Sequence, residues 1–226
     1  GMSEWCSHPR HLVHKVPVEV SWERLAMVEP LTISVHAVKR ARAVRGAHLA
    51  VTGAGPIGLL AALYAQVIGA VPSVIDPIDE RLAAARALGI PFTINPAQES
   101  AVDRIREITG GRMAEAVIEA SGSGAAIRSS IDYAAYSGRV ALVGWPKADV
   151  SLPTAMFTKK ALDVVGSRNS RGDFAESIEL VATGRIDVTA MITRTVSFED
   201  APDAVREIAA NPEKFMKVVA LLPAGG

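Results

Sequence analysis

The sequence predicts an α/β domain built on a doubly wound parallel sheet of six strands, and three observations predict it. Short apolar runs alternate with stretches of helical length from residue 48 to residue 167. A glycine-rich turn, Gly53-Ala-Gly55-Pro-Ile-Gly58, joins the first apolar run to the first helical stretch. An acid, Asp76, closes the second apolar run, 23 residues beyond Gly53.

The elements follow in order. His48 to Thr52 reads as a short strand that runs into the glycine turn, and the turn opens a helix. SVID (73–76) is the second strand, and DERLAAARALG (79–89) is a helix with Gly89 just past its end. FTIN (92–95) is the third strand. The stretch ESAVDRIREITGG follows as an amphipathic helix with Val102, Ile105 and Ile108 on one face. AEAVIEA (114–120) is the fourth strand, with a helix after it over 124–138. RVALVG (139–144) is the fifth strand and ALDVVGS (161–167) the sixth. Such a succession predicts the Rossmann strand order 3-2-1-4-5-6.

The flanks do not share that rhythm. Residues 1–30, with prolines at 9, 17 and 30, read as irregular strand and turn. Residues 171–223 read as a helix (DFAESIELVATG), a short strand (RTVSF), a helix (EDAPDAVREIAA) and a closing strand (FMKVVALL). The expected division is therefore 1–30, 31–168 and 169–226.

The turn carries the chemistry. Gly53 permits the tight turn, Gly55 lets a pyrophosphate approach the backbone, and Gly58 lets the helix press against the strand. Pro56 suits a first helical position, and Ile57 and Gly58 follow it at the end of a helix whose free N–H groups and dipole favour phosphate. Asp76, ending the second strand, is placed to accept hydrogen bonds from both hydroxyls of an adenosine ribose and to repel a 2′-phosphate. That combination predicts dinucleotide binding, with NAD preferred over NADP. A purely structural Asp76, capping the next turn, is the competing reading.

Composition narrows the class. Of 226 residues, 49% are apolar and 21% charged, which implies a well-buried core rather than disorder. Lys plus Arg equal Asp plus Glu at 24 each, so no basic excess argues for nucleic acid or anionic membrane. No apolar stretch is long enough to span a bilayer, and no signal-like segment opens the chain, so a cytoplasmic location is expected. Gly1 before Met2 reads as the scar of a removed tag. A single cysteine, Cys6, excludes both a disulfide framework within the chain and a multi-cysteine zinc lobe.

Several of these segments, taken together and in order, resemble the medium-chain dehydrogenase/reductase family, most closely its zinc-dependent polyol (sorbitol-type) dehydrogenases. MVEPLTISVHAVKRA (27–41) resembles the family segment that enters the coenzyme domain. The stretch VTGAGPIGLLAALYAQVIGA is similar to its coenzyme fingerprint, EASGS (119–123) to its fourth-strand signature and GRVALVG (138–144) to its fifth. VGSRNSRGDF (165–174) is similar to the turn after its sixth strand, and FEDAPDAVREI with MKVVALL to its usual ending.

The resemblance implies hydride transfer between a secondary alcohol or polyol and NAD, a homodimer formed through the sixth strand, and a second, GroES-like catalytic domain of which remnants stand at both ends. SEWCSHPRHLVHKVP resembles the last strands of that domain, while the segment bearing the family's zinc ligands has no counterpart here. Zinc, a cofactor of the full-length family, is thus not expected on this chain, and neither is turnover by the chain alone. By the same resemblance, Arg81 lies along the adenine. Ser121 and the backbones of Val143, Ser167 and Asn169 hold the nicotinamide ribose and carboxamide, and Lys217 falls near the pyrophosphate. Glu29 looks like the acid of the Glu-Pro step that approaches the catalytic metal. Alone it cannot hold one, because a catalytic zinc takes three protein ligands.

Other chemistries fit less well. Cys6, His8, His11 and His14 tempt a metal reading, but in a strand residues three apart point to opposite faces. Tyr133 and Tyr136 are not followed four residues on by the lysine of a short-chain dehydrogenase; Ser137 and Val140 stand there. No nucleophile elbow or P-loop lysine is present. Two further readings stay open: a non-catalytic dinucleotide-binding or assembly module, and an S-adenosylmethionine-dependent methyltransferase. The latter would show an antiparallel last strand.

Overall fold

In the computed structural model, which describes residues 3, 5–17 and 19–222, the apolar runs become strands in the order the βα rhythm requires. Two helices come first, α1 (Trp22–Ala26) and α2 (Val28–Arg40). The alternating series follows: β1 (His48–Thr52), α3 (Pro56–Val67), β2 (Val71–Ile75), α4 (Asp79–Ala87), β3 (Phe92–Ile94), α5 (Ala101–Ile108), β4 (Ala114–Glu119), α6 (Gly124–Tyr133), β5 (Ala134–Leu142), α7 (Thr154–Lys160) and β6 (Asp163–Gly166). The chain ends with α8 (Phe174–Ala182), β7 (Ile192–Ser197), α9 (Ala201–Ala210) and β8 (Lys217–Leu221).

Contacts divide the chain into Pro30–Asp173 and a second unit, made of the described residues up to Glu29 and those from Phe174 onward. In the first, β1 to β6 all pair in parallel, in the order β3-β2-β1-β4-β5-β6. The parallel last strand removes the methyltransferase reading. After their first residues β1 and β2 are wholly buried, as strands covered by helices on both faces must be. Ile105 of α5 is sunk in a core with Ile75, Ile94, Val117 and Ile131, and Val102 and Ile108 pack against it, which is the face read from the sequence. In the second unit β7 and β8 pair in parallel, and α1 packs on β8 and α8.

Three departures have physical causes. Among described residues 5–17 there is no strand, only a 3-10 turn at Arg10–Leu12. The strand geometry used to separate His8, His11 and His14 therefore does not apply. Helices then occupy much of 22–40, because Ser21 caps α1 and Leu31, Val35 and Val38 form a fully buried stripe at helical spacing. Pro30, read as a breaker, sits in the first turn of α2, where its missing N–H costs nothing.

The second departure is at the fifth strand. The helix read over 124–138 stops at Tyr133, where Ala134 turns extended. Lys160 Nζ caps that end, donating to the carbonyls of Ile131 (3.0 Å), Asp132 (3.1 Å) and Ala134 (2.8 Å). Ala114 then faces Ala134 but Ala116 faces Arg139, a bulge that Ser137 closes in the left-handed region (φ 55°). Third, α7 was not read from the sequence, and its left-handed end at Ala161 delays β6 to Asp163. Gly1 and Met2, read as a tag scar, lie outside the described residues.

Candidate dinucleotide site

Because β1 to β6 run in parallel, the loops that follow β1, β2, β4, β5 and β6 all leave at one edge of the sheet. Each loop is tied to its neighbour by a backbone hydrogen bond that continues the ladder. Gly53 N donates to Ile75 O, Ala120 N to Thr52 O, Val143 N to Glu119 O and Ser167 N to Leu142 O, all at 2.8 Å. The edge is therefore a rigid row of main-chain groups.

The glycine turn does there what its spacing required. Gly53 stands at φ 96°, and a Cβ on it would lie 3.0 Å from Ser121 N. A Cβ on Gly58 would lie 1.9 Å from Gly53 O and 3.3 Å from Val51 Cγ1, so only glycine lets α3 approach β1 so closely. A Cβ on Gly55 would meet nothing within 4 Å. That open volume lies at the N-cap of α3, beside the amides of Ile57 and Gly58, which have no acceptor within the helix; Pro56 has no amide to offer. Open space beside two amides at a helix N-terminus is what a diphosphate would need here.

Asp76 is buried, 3% exposed. Its Oδ2 accepts from Ala54 N (2.8 Å), inside the glycine turn, and its Oδ1 from Ile78 N (2.9 Å). The capping reading of Asp76 is thus correct as far as it goes. Each carboxylate oxygen keeps a second lone pair, so capping does not exhaust its capacity to accept. Arg81 Nη1, half-buried, stands 3.7 Å from Asp76 Oδ2.

Two buried carboxylates behind the edge escaped the sequence reading. Glu119, fully buried at the end of β4, accepts at Oε1 from Ser121 N (2.9 Å), Ser121 Oγ and Gly122 N (3.1 Å). A Cβ on Gly144 would lie 2.6 Å from its Oε2, which fixes glycine beside Val143. The second is Asp173, 4% exposed, which closes the loop after β6. It accepts from Lys39 Nζ (2.7 Å) and Arg171 N (3.1 Å), and His36 Nδ1 stands at 3.1 Å. Burial is the largest influence on its carboxyl and pushes the pKa up. The Lys39 ammonium, the Arg171 amide and the His36 ring together outweigh it and hold the pKa below the ordinary range. An acid at the end of an apolar run, followed by Ala-Ser-Gly, is the available signal for Glu119. For Asp173 none existed, since its side-chain partners His36 and Lys39 are more than 130 residues away in sequence.

In that loop Asn169 is left-handed (φ 51°), and Ser167 Oγ is buried with no hydrogen-bond partner among the described residues. An orphaned hydroxyl at this end of the sheet suits a ligand that brings its own partner. The exposed Trp145 follows Val143 and Gly144, with the Arg168 guanidinium 5.1 Å from its ring centroid.

Not every candidate joins this constellation. Glu29, exposed in the first turn of α2, and Lys217, opening β8, belong to the other unit. Cys6, His8, His11 and His14 are exposed, and His14 stacks on Phe174. Among the described residues no three His, Cys, Asp or Glu side chains gather as metal ligands. Tyr133 is a core residue whose phenol burial pushes further from neutrality, which suits no acid–base role. No helix among the described residues is long and apolar enough to cross a membrane.

Comparison with known proteins agrees with this geometry. The sequence profile of the zinc-binding dehydrogenases matches residues 56–183, more than half of the chain. An uncharacterized zinc-type alcohol dehydrogenase-like protein of Haemophilus influenzae is 43% identical over 98% of this chain and 65% of its own length. A D-xylulose reductase of Saccharomyces cerevisiae is 33% identical over 93% of this chain and 61% of its own. A crystal structure from Sinorhizobium meliloti 1021, bound to NADP, superposes with a TM-score of 0.88 at 26% identity, over 98% of this chain and 65% of that one. The chain thus spans a little under two thirds of the length of these relatives. On the profile match and the shared fold, it belongs to the zinc-binding dehydrogenases of the medium-chain dehydrogenase/reductase family.

Proposed function

We propose that this chain is the NAD-binding part of a zinc-type alcohol or polyol dehydrogenase. The observation that carries the reading is the open volume at Gly55, bounded by Gly53, Gly58 and the start of α3, with Asp76 hydrogen-bonded into the same turn. In this reading the diphosphate lies on the amides of Ile57 and Gly58, and the adenosine ribose hydroxyls lie on Asp76 beside Arg81. Ser121, Val143, Ser167 and Asn169 line the nicotinamide end. The bound nicotinamide would supply the hydride acceptor. The chain's own residues bind it, orient it through fixed main-chain groups and keep water from one face. The names of the relatives support an alcohol or polyol as the reduced partner.

Asp76 supports NAD over NADP, because a 2′-phosphate would meet a buried carboxylate. Calorimetric titration with NAD, NADP and ADP-ribose tests the reading, and binding of none of them would overturn it. A second reading is a dinucleotide-binding module without chemistry of its own. Metal analysis after dialysis, paired with an NADH-coupled assay over a panel of polyols, separates the two. Stoichiometric zinc or clear turnover would discard the second.

A further inference from the structure

Helix α2 touches both halves of the proposed cofactor edge. On one side Ser34, fully buried, places Oγ 2.8 Å from the carbonyl of Ile57, in the first turn of α3. On another side Arg40 Nε donates to Gly166 O (3.0 Å) at the end of β6, while Lys39 and His36 grip Asp173. His36, Lys39 and Arg40 are spaced to share a helix face, and Ser34 points elsewhere. The helix therefore spans from the diphosphate cradle to the loop after β6.

That loop needs a restraint. Strand β6 is an edge with β5 as its one neighbour, and the loop carries two left-handed positions, Asn169 (φ 51°) and Gly172 (φ 79°). It also holds the Ser167 hydroxyl buried without a partner among the described residues. A non-glycine residue in the left-handed region and an unpaired buried hydroxyl are both costly, and they persist only where surrounding contacts over-determine them. The strongest such contact within the loop is the Asp173 carboxylate, buried and charged, with Lys39 at 2.7 Å.

We propose that Asp173 is a positioning residue for the nicotinamide half of the site. Clamped to α2 by Lys39 and His36, it fixes the loop that presents Ser167 and Asn169, at a set distance from the diphosphate cradle that α2 also touches through Ser34. This inference rests on the reading of the site as an NAD site. It adds that the nicotinamide half can be loosened while the adenosine half stays intact.

The test compares two ligands that share the adenosine diphosphate half and differ in the nicotinamide. Asp173→Asn keeps the shape and removes the charge. NADH affinity should fall about tenfold, while ADP-ribose affinity should stay within about twofold, both read by calorimetry. Lys39→Met removes the other half of the pair and is read by the same ratio should Asp173→Asn not fold. Equal losses for both ligands, or no loss for either, would overturn the assignment, since a residue that merely supports the fold has no means of telling the two apart. Wild-type protein that binds neither ligand would remove the NAD reading itself, and the clamp with it.

Discussion

Gly55→Val should abolish dinucleotide binding and leave the fold intact. Gly55 stands at φ −77°, ψ −179°, extended backbone that any residue adopts, so valine brings no backbone strain. Its Cβ would meet nothing within 4 Å, so it brings no clash either. The folding free energy should change by no more than about 1 kcal/mol, with part of any gain coming from a less flexible unfolded chain. The ligand meets the opposite situation. Valine fills the open volume in which the diphosphate must lie to reach the amides of Ile57 and Gly58. Hydrogen bonds to a charged group are worth about 1.5–3 kcal/mol each, so losing two removes about 3–6 kcal/mol, at least two orders of magnitude in affinity.

The assay is the rise in NADH fluorescence on binding, titrated for wild type and variant, with thermal unfolding measured on the same samples. Wild-type melting with no detectable NADH binding is the expected result. Unchanged NADH affinity in a folded variant would mean that no diphosphate passes over Gly55, and the site assignment would fall. A variant that fails to fold would refute the packing argument instead, because it would mean that the space beside Gly55 belongs to the protein.

Gly58→Ala makes the opposite prediction: its Cβ would lie 1.9 Å from Gly53 O, so the fold should lose about 3 kcal/mol or more, read by denaturant titration, and a wild-type midpoint would refute it. NAD should bind about tenfold or more tightly than NADP, because the 2′-phosphate would approach the buried Asp76; equal calorimetric curves would sink this. Asp173 carries a lowered pKa, so its contribution to stability is complete above the ordinary carboxyl value of 3.8 and is lost as pH falls through the lower folded value. The stability difference between wild type and Asp173→Asn should therefore be constant at neutral pH and shrink below pH 3.8, and a difference that persists undiminished would contradict the pairing. With β6 as a sheet edge, the protein should form a dimer through it at micromolar concentration, and light scattering that reports a monomer would exclude this.

What could be read in the sequence and what could not divides along a physical line. The strand order and the glycine turn rest on short-range signals: apolar runs, turn residues, and a spacing from Gly53 to Asp76 that a single βαβ unit sets. These survive folding because each is enforced within a few dozen residues. The helix ends were misplaced where a distant group decides them. Tyr133 ends α6 because Lys160, 27 residues on, reaches back to cap it, and nothing in residues 124–138 announces that. Helix α2 was hidden by Pro30, whose meaning reverses with its position: a breaker in the middle of a helix, harmless in the first turn.

The site divides in the same way. Its proposed adenosine half is local, since Gly53, Gly55, Gly58, Asp76 and Arg81 span one βαβ unit, and Asp76 stands against both the glycine turn and Arg81. The proposed nicotinamide half would be assembled from the ends of β4, β5 and β6, and the carboxylate proposed to set its geometry, Asp173, is held by two residues of α2, more than 130 positions earlier in the chain. A motif can specify the first half because the chain returns to it at once. The second half exists only when the whole sheet is in order, so its chemistry depends on long-range packing and should be the more easily perturbed. The NADH to ADP-ribose affinity ratio, unlike either affinity alone, measures that dependence.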